Sequence, residues 1–151
     1  MTIAELAAAL SDVQAVALTL DAEARNQGLV GLVAAGNVMR NRVLDPRWPD
    51  TYRGVVFQRK QFSCWIPGGG QANYTRTIRQ AEGLLAGKVL TPMLRTCLVV
   101  AEGIIAGLYR DVSRQSTHYM TKELWDGKRP RWAKGLKANV ILKDHVFFSA
   151  A

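Results

Sequence analysis

Apolar side chains recur at helical spacing over most of the first two thirds of the chain, then give way to short, dense runs near its end. Ser11-Asp-Val-Gln14 has the form of a capping box, in which serine and glutamine each satisfy a free backbone N–H at a helix start. Val13, Val16, Ala17, Leu20 and Ala24 follow on one face, and Gly28 is a natural stop, so the spacing predicts a helix over about 12–27. Leu29, Leu32, Val33, Met39 and Val43 carry the period on to Leu44. There Asp45-Pro46 ends a second helix, because a residue before proline is pushed out of helical conformation.

Residues 45–51 read as a loop, with Asp50 or Thr51 capping a short helix through Phe57. Gln61-Phe-Ser-Cys-Trp-Ile66 is aromatic and ends at Pro67-Gly-Gly-Gly70, so it is predicted to be a short strand leading into a turn. Two more helices are expected near 73–86 and 92–106, each closing on the same phrase, Ala81-Glu-Gly-Leu-Leu-Ala-Gly87 and Ala101-Glu-Gly-Ile-Ile-Ala-Gly107. Two copies do not make a repeat array; they read as two similar helix ends with glycine just past each. Ser116–Met120, Val140–Leu142 and Val146–Phe148 are β-like, separated by a basic, tryptophan-containing loop over 125–137. Helices first and a small sheet late predict an α+β, mostly helical fold.

The 151 residues fit one domain, 1–151, and 48% hydrophobic residues supply a full core. The two cysteines, Cys64 and Cys97, make no disulfide framework and read as buried thiols. A net charge of +8 favours an anionic partner, whether nucleic acid, anionic lipid or bacterial envelope. The N-terminus lacks the basic start of a secretory signal, Glu5 and Asp12 interrupt its apolar stretch, and no run is long enough for a membrane span.

Glu23 is the first candidate for chemistry. At ~100° per residue it lies about 20° from Val16, at the edge of the apolar stripe and in the last helical turn. Partial burial and the negative end of the helix dipole both disfavour its ionised form, which suits a general acid. Position alone leaves a second reading open, a boundary glutamate paired with Arg25 or another cation. Asp21 reads as a solvent-facing or capping residue, Glu82 and Glu102 as solvent-facing or ion-paired, and no obvious second carboxylate accompanies Glu23. His118 and His145 sit beside aromatics, where they either hold structure or touch sugar hydroxyls. The chain has neither H-E-x-x-H nor C-x-x-C nor G-x-S-x-G, so no metal, cofactor or nucleophilic serine is expected. Trp48, Trp65, Trp125 and Trp132 fall in predicted loops or strand ends, where aromatics suit sugar faces or stacked bases alike.

Taken in order, Ala22-Glu-Ala-Arg25, Gly28, Val38-Met-Arg-Asn-Arg-Val43, Trp48-Pro49 to Val56, Gln61-Phe-Ser-Cys64, Ser116-Thr-His-Tyr119, Pro130-Arg-Trp132 and Asp144-His-Val-Phe-Phe148 resemble the SleB-like cell-wall hydrolases. That family includes spore cortex-lytic enzymes and phage endolysins. Asn26-Gln27-Gly28 stands where the family often has an acidic or small residue. The stretch 88–110 is longer than usual, its Thr91-Pro92 helix reading as an insertion.

The resemblance implies a lysozyme-like single domain with a small antiparallel sheet. It also implies cleavage of the β-1,4 bond between N-acetylmuramic acid and N-acetylglucosamine by a lytic transglycosylase, with Glu23 as catalytic acid and base. Gln61, Ser63, Thr117, His118 and Tyr119 are then expected to hold or polarise the glycan, and Trp65 and Trp132 to line its groove. The expected partners are the peptidoglycan glycan strand and the anionic envelope, with no nucleic acid, and the protein acts as a monomer. A basic domain with no signal pattern resembles a phage endolysin, made in the host cytoplasm and acting on the wall in the periplasm. The alternatives are a hydrolytic muramidase on the same bond, a basic nucleic-acid-binding module with salt-sensitive binding and no wall lysis, and a relative that binds glycan without cutting it.

Overall fold

The computed structural model describes residues 1–59 and 61–150. The first helix, α1 (Ile3–Ala9), goes beyond what the apolar spacing predicts. A capping box forms it, Thr2 and Glu5 exchanging bonds, and Leu6 anchors it in the core. In α2 (Asp12–Ala24) the expected box is present, with Ser11 and Gln14 exchanging bonds of 2.9 and 3.1 Å. The helix ends three residues earlier than expected. Arg25–Gln27 turn the chain sharply, and Gly28, with φ +74°, opens α3 (Gly28–Leu44) rather than closing α2.

The middle of α2 is buried nearly all round, and α6 (Pro92–Ile105) lies along it. Leu94, Cys97, Val100, Ala101 and Ile104 place α6 within the main core, not outside it as an appendage. The short α4 (Tyr52–Val56), capped by Thr51, and α5 (Gln71–Leu85) complete the helical body. The repeated phrases form matching helix ends. Gly87 and Gly107 take left-handed φ of +78° and +71°, and Lys88 and Leu108 donate back to Gly83 and Gly103.

The segment 61–66, expected as a strand, is a 3-10 turn over Ser63–Trp65. Its aromatic composition reflects burial rather than sheet pairing, with Phe62, Cys64 and Trp65 packed into the main core. The Trp65 indole donates to Thr19 Oγ1 at 3.0 Å, and its ring lies 4.7 Å from that of Phe57. The sheet is antiparallel in the order β1-β3-β2, from β1 (His118–Thr121), β2 (Ala138–Leu142) and β3 (His145–Phe148). All four residues of the central β3 are buried because both faces are covered. Phe147 packs on Ala34 and Val38 of α3, whereas Val146 and Phe148 pack on Met120, Trp125 and Ala133. Trp125 therefore belongs to a short helix, α7 (Lys122–Asp126), and to this second small core, not to a loop.

Gly87 tests the helix-end geometry, since a Cβ there would meet open space and only the backbone conformation opposes it. Gly87→Ala is expected to cost about 1 kcal/mol by denaturant titration.

Candidate active site

Glu23 stands partly buried in the last turn of α2. Among the described residues no cation or hydrogen-bond donor reaches its carboxylate. Arg25, a partner only in the second reading of Glu23, instead donates to the Asp21 carbonyl and to Asn73. Loss of hydration pushes the Glu23 carboxyl up from 4.5 to about 7. Asp21, expected at the surface, is fully buried, because α5 and α6 pack against this part of α2. Its Oδ2 accepts from Gln80 at 2.7 Å and from Arg76 at 3.4 Å, so its role is structural.

A cavity of about 400 Å³ opens beside Glu23, lined in part by Gln27, Lys122, Glu123, Asp144 and His145. Asp144 is held there by a two-way clamp. Gln27 Nε2 donates to Asp144 Oδ2 at 3.2 Å, and the Asp144 backbone N–H donates to Gln27 Oε1 at 3.1 Å. Glu23 thus shares its cavity with two carboxylates, Asp144 and Glu123, a correction to the expectation that it has no obvious acidic companion. Both lie far along the chain, Glu123 in α7 and Asp144 in the β2–β3 turn, and tertiary packing brings them to the same cavity. His145 Nδ1 is buried without a partner among the described residues.

A second cavity, of about 500 Å³, is lined by Arg42, Gln61, His118, Tyr119 and Trp132, among others. Strand alternation sends neighbouring residues of β1 to opposite faces. Tyr119 turns toward His145 and Phe147, with ring centroids 5.1 and 5.5 Å away, and His118 toward Phe148 and Trp132, at 5.5 and 5.6 Å. The Tyr119 hydroxyl is buried without a partner among the described residues. Burial first, then the Glu23 charge, holds it well above its ordinary value, with Arg42 opposing. Thr117 Oγ1 lies 2.9 Å from His118 Nδ1. Burial, then Arg42 and Arg47, brings His118 down to about 4, so its imidazole is neutral at pH 7.

Of the residues expected to bind glycan, Gln61, His118, Tyr119 and the exposed Trp132 come together at this second cavity. Thr117 is buried behind it. Ser63 is half-buried in the 3-10 turn and lines neither cavity. Trp65 is a core residue, a correction to its placement in the groove, because its indole is spent on Thr19 inside the helical body. The sequence reading missed Gln27, Arg42, Glu123 and Asp144 as parts of the site. Arg42 carried one usable signal, since it follows Ala34 and Val38 at intervals of four on the stripe that faces the sheet. Both cysteines are free, buried thiols. Burial pushes Cys97 up to about 12 and Cys64 higher still, so neither is reactive.

Residues 26–148 match the profile of a family described as Cell Wall Hydrolase. A spore cortex-lytic enzyme of Halalkalibacterium halodurans is 34% identical over 71 residues, which are 47% of this chain and 22% of that protein. The chain thus matches about a fifth of that relative's length. The catalytic domain of the germination-specific lytic transglycosylase SleB from Bacillus anthracis superposes with a TM-score of 0.60 at 20% identity, over 91% of this chain and 93% of that one. The catalytic domain of the Bacillus cereus SleB protein also gives a TM-score of 0.60, at 19% identity, over 91% and 89%. Both likenesses concern the fold, a lysozyme-like one that is mostly helical with a small antiparallel sheet.

The raised Glu23 carboxyl links stability to pH. Between about 4.5 and 7 the folded protein holds more protons than the unfolded chain, so this group lowers stability as pH rises through that window. Glu23→Gln removes the effect. The variant is expected to gain up to roughly 3 kcal/mol relative to wild type between pH 4 and pH 8, measured by denaturation at both.

Proposed function

From the premise that the chain belongs to the Cell Wall Hydrolase family, we propose that it cleaves the glycan strand of peptidoglycan between N-acetylmuramic acid and N-acetylglucosamine, with Glu23 as the acid. The observation that carries this reading is a carboxyl with no ionic partner among the described residues, raised to about 7 by burial and set at a cavity. Such a group is largely protonated below neutral pH and still exchanges its proton readily, as general acid–base catalysis requires. The neighbouring cavity supplies the exposed Trp132 ring for a sugar face, and Gln61 and the neutral His118 for hydroxyls.

The reaction we propose is that of a lytic transglycosylase. Glu23 gives its proton to the glycosidic oxygen as the C1–O bond breaks. The muramic acid C6 hydroxyl then bonds to C1, and its proton returns to Glu23, leaving a 1,6-anhydro end and restoring the acid. One carboxyl serves both steps, unlike the carboxylate pair of ordinary glycosidases. The Tyr119 hydroxyl, buried and without a partner among the described residues, is the donor we assign to hold Glu23 in its ionised interval.

Asp144 favours a second reading, a hydrolytic muramidase, because a clamped carboxylate facing the Glu23 cavity is placed to direct a water. We further propose that the whole chain is one catalytic domain acting as a monomer. Its place is that of a phage endolysin, made in the host cytoplasm and acting on the wall in the periplasm. The net charge of +8 supports this by favouring approach to an anionic envelope.

Wall clearing is expected to fall at least about a hundredfold in Glu23→Gln. A folded variant that keeps most of its activity removes Glu23 from the reaction. In product masses, anhydro ends are expected from wild type and from Asp144→Asn alike. Hydrated ends that diminish in Asp144→Asn establish the muramidase reading instead.

A further inference from the structure

Arg42 is a buried cation. Only 6% of it is exposed, yet no carboxylate pairs with it among the described residues. Asp45, the acid nearest in sequence, is bound to Arg47 at 2.9 Å. Neutral acceptors take two of the guanidinium nitrogens. Nε donates to the Thr117 carbonyl at 2.7 Å and Nη1 to Gln61 Oε1 at 3.0 Å. The rings of Trp48 and Phe62 lie 5.5 and 5.8 Å from its centre. Nη2 has no acceptor among the described residues. A buried charge is costly unless an opposite charge meets it. Here the charge borders a cavity of about 500 Å³ that also holds the exposed Trp132 and the neutral His118. The guanidinium fork is shaped for a carboxylate.

We propose that Arg42 binds a carboxylate of the substrate, carried by the substituent on muramic acid, and so sets which glycosidic bond reaches Glu23. This inference rests on the glycan reading above. In such a strand only every second sugar bears the lactyl group, which ends in a carboxylate when free and otherwise joins a stem peptide that carries carboxylates of its own. A carboxylate site at a fixed place relative to Glu23 admits the strand in one of its two registers. The bond on one side of muramic acid is then cut and the bond on the other side is not. Arg42 touches the substituent rather than the reacting atoms, so it determines specificity and is not a catalytic residue.

The test compares four substrates: intact peptidoglycan, peptidoglycan stripped of its peptides by an amidase, and each of these with its carboxylates amidated. Rates are read at roughly 0.5 M salt, where general attraction to the +8 surface is screened. Amidation is expected to lower the wild-type kcat/KM at least about tenfold. A loss on stripped glycan identifies the lactyl carboxylate as the ligand, and a loss on intact material alone identifies the stem peptide. Arg42→Gln is expected to bring the rate on the carboxylate form down to the wild-type rate on the amidated one. Arg42→Lys, which keeps the charge and one donor, is expected to fall between and serves where the glutamine variant does not fold. Equal wild-type rates on native and amidated forms overturn the Arg42 site and leave the glycan reading standing. So does a wild-type preference that persists in a folded Arg42 variant. Wild type inactive on all four substrates overturns the glycan reading itself.

Discussion

The contact of Phe147 with Ala34 and Val38 joins the two halves of this protein, and the site depends on that joint. All three side chains are fully buried. Alanine and valine keep that face of α3 shallow enough for a phenyl ring from the central strand to lie against it. Polar bonds close the joint at both ends. Gln27, just ahead of α3, clamps Asp144 in the β2–β3 turn, and Arg42, in the last turn of α3, holds the Thr117 carbonyl just before β1. Glu23 belongs to the helical body, whereas Tyr119, His118 and Asp144 belong to the sheet side. Their spacing is therefore inherited from how Phe147 seats on α3.

The joint also explains the electrostatics. Burial raises Glu23 and lowers Arg42, and among the described residues the two do not pair with each other. A pairing across the cleft would stabilise the fold and silence both groups. Kept apart, an acid with a labile proton and a cation with a free nitrogen border neighbouring cavities. Such groups oppose folding and persist where function needs them. The unpartnered Tyr119 hydroxyl and His145 Nδ1 follow the same pattern.

Much of the scaffold was legible in the chain because it rests on local physics. The capping box at Ser11, the N-cap at Thr51, the proline stop after Leu44, the matched glycines at 87 and 107 and the late β-like runs act through neighbours within a turn or two. Where local signals competed with burial, burial won. The aromatic run around Trp65 resembles a strand but fills a helical core, and Asp21 resembles a surface residue but lies beneath α5 and α6.

By itself, the sequence determined a mostly helical α+β domain with a basic surface and a glutamate on the edge of an apolar helical stripe, because period, caps and charge are properties of adjacent residues. The resemblance of Ala22-Glu-Ala-Arg25 to a family motif then made Glu23 the expected acid. Only the tertiary structure decided what surrounds it: Asp144 brought across from the far hairpin, Trp65 withdrawn into the core, and Arg42 left beside a cavity with no acid paired to it among the described residues. Those outcomes depend on which faces meet, and burial sets the cost of every charge according to that meeting.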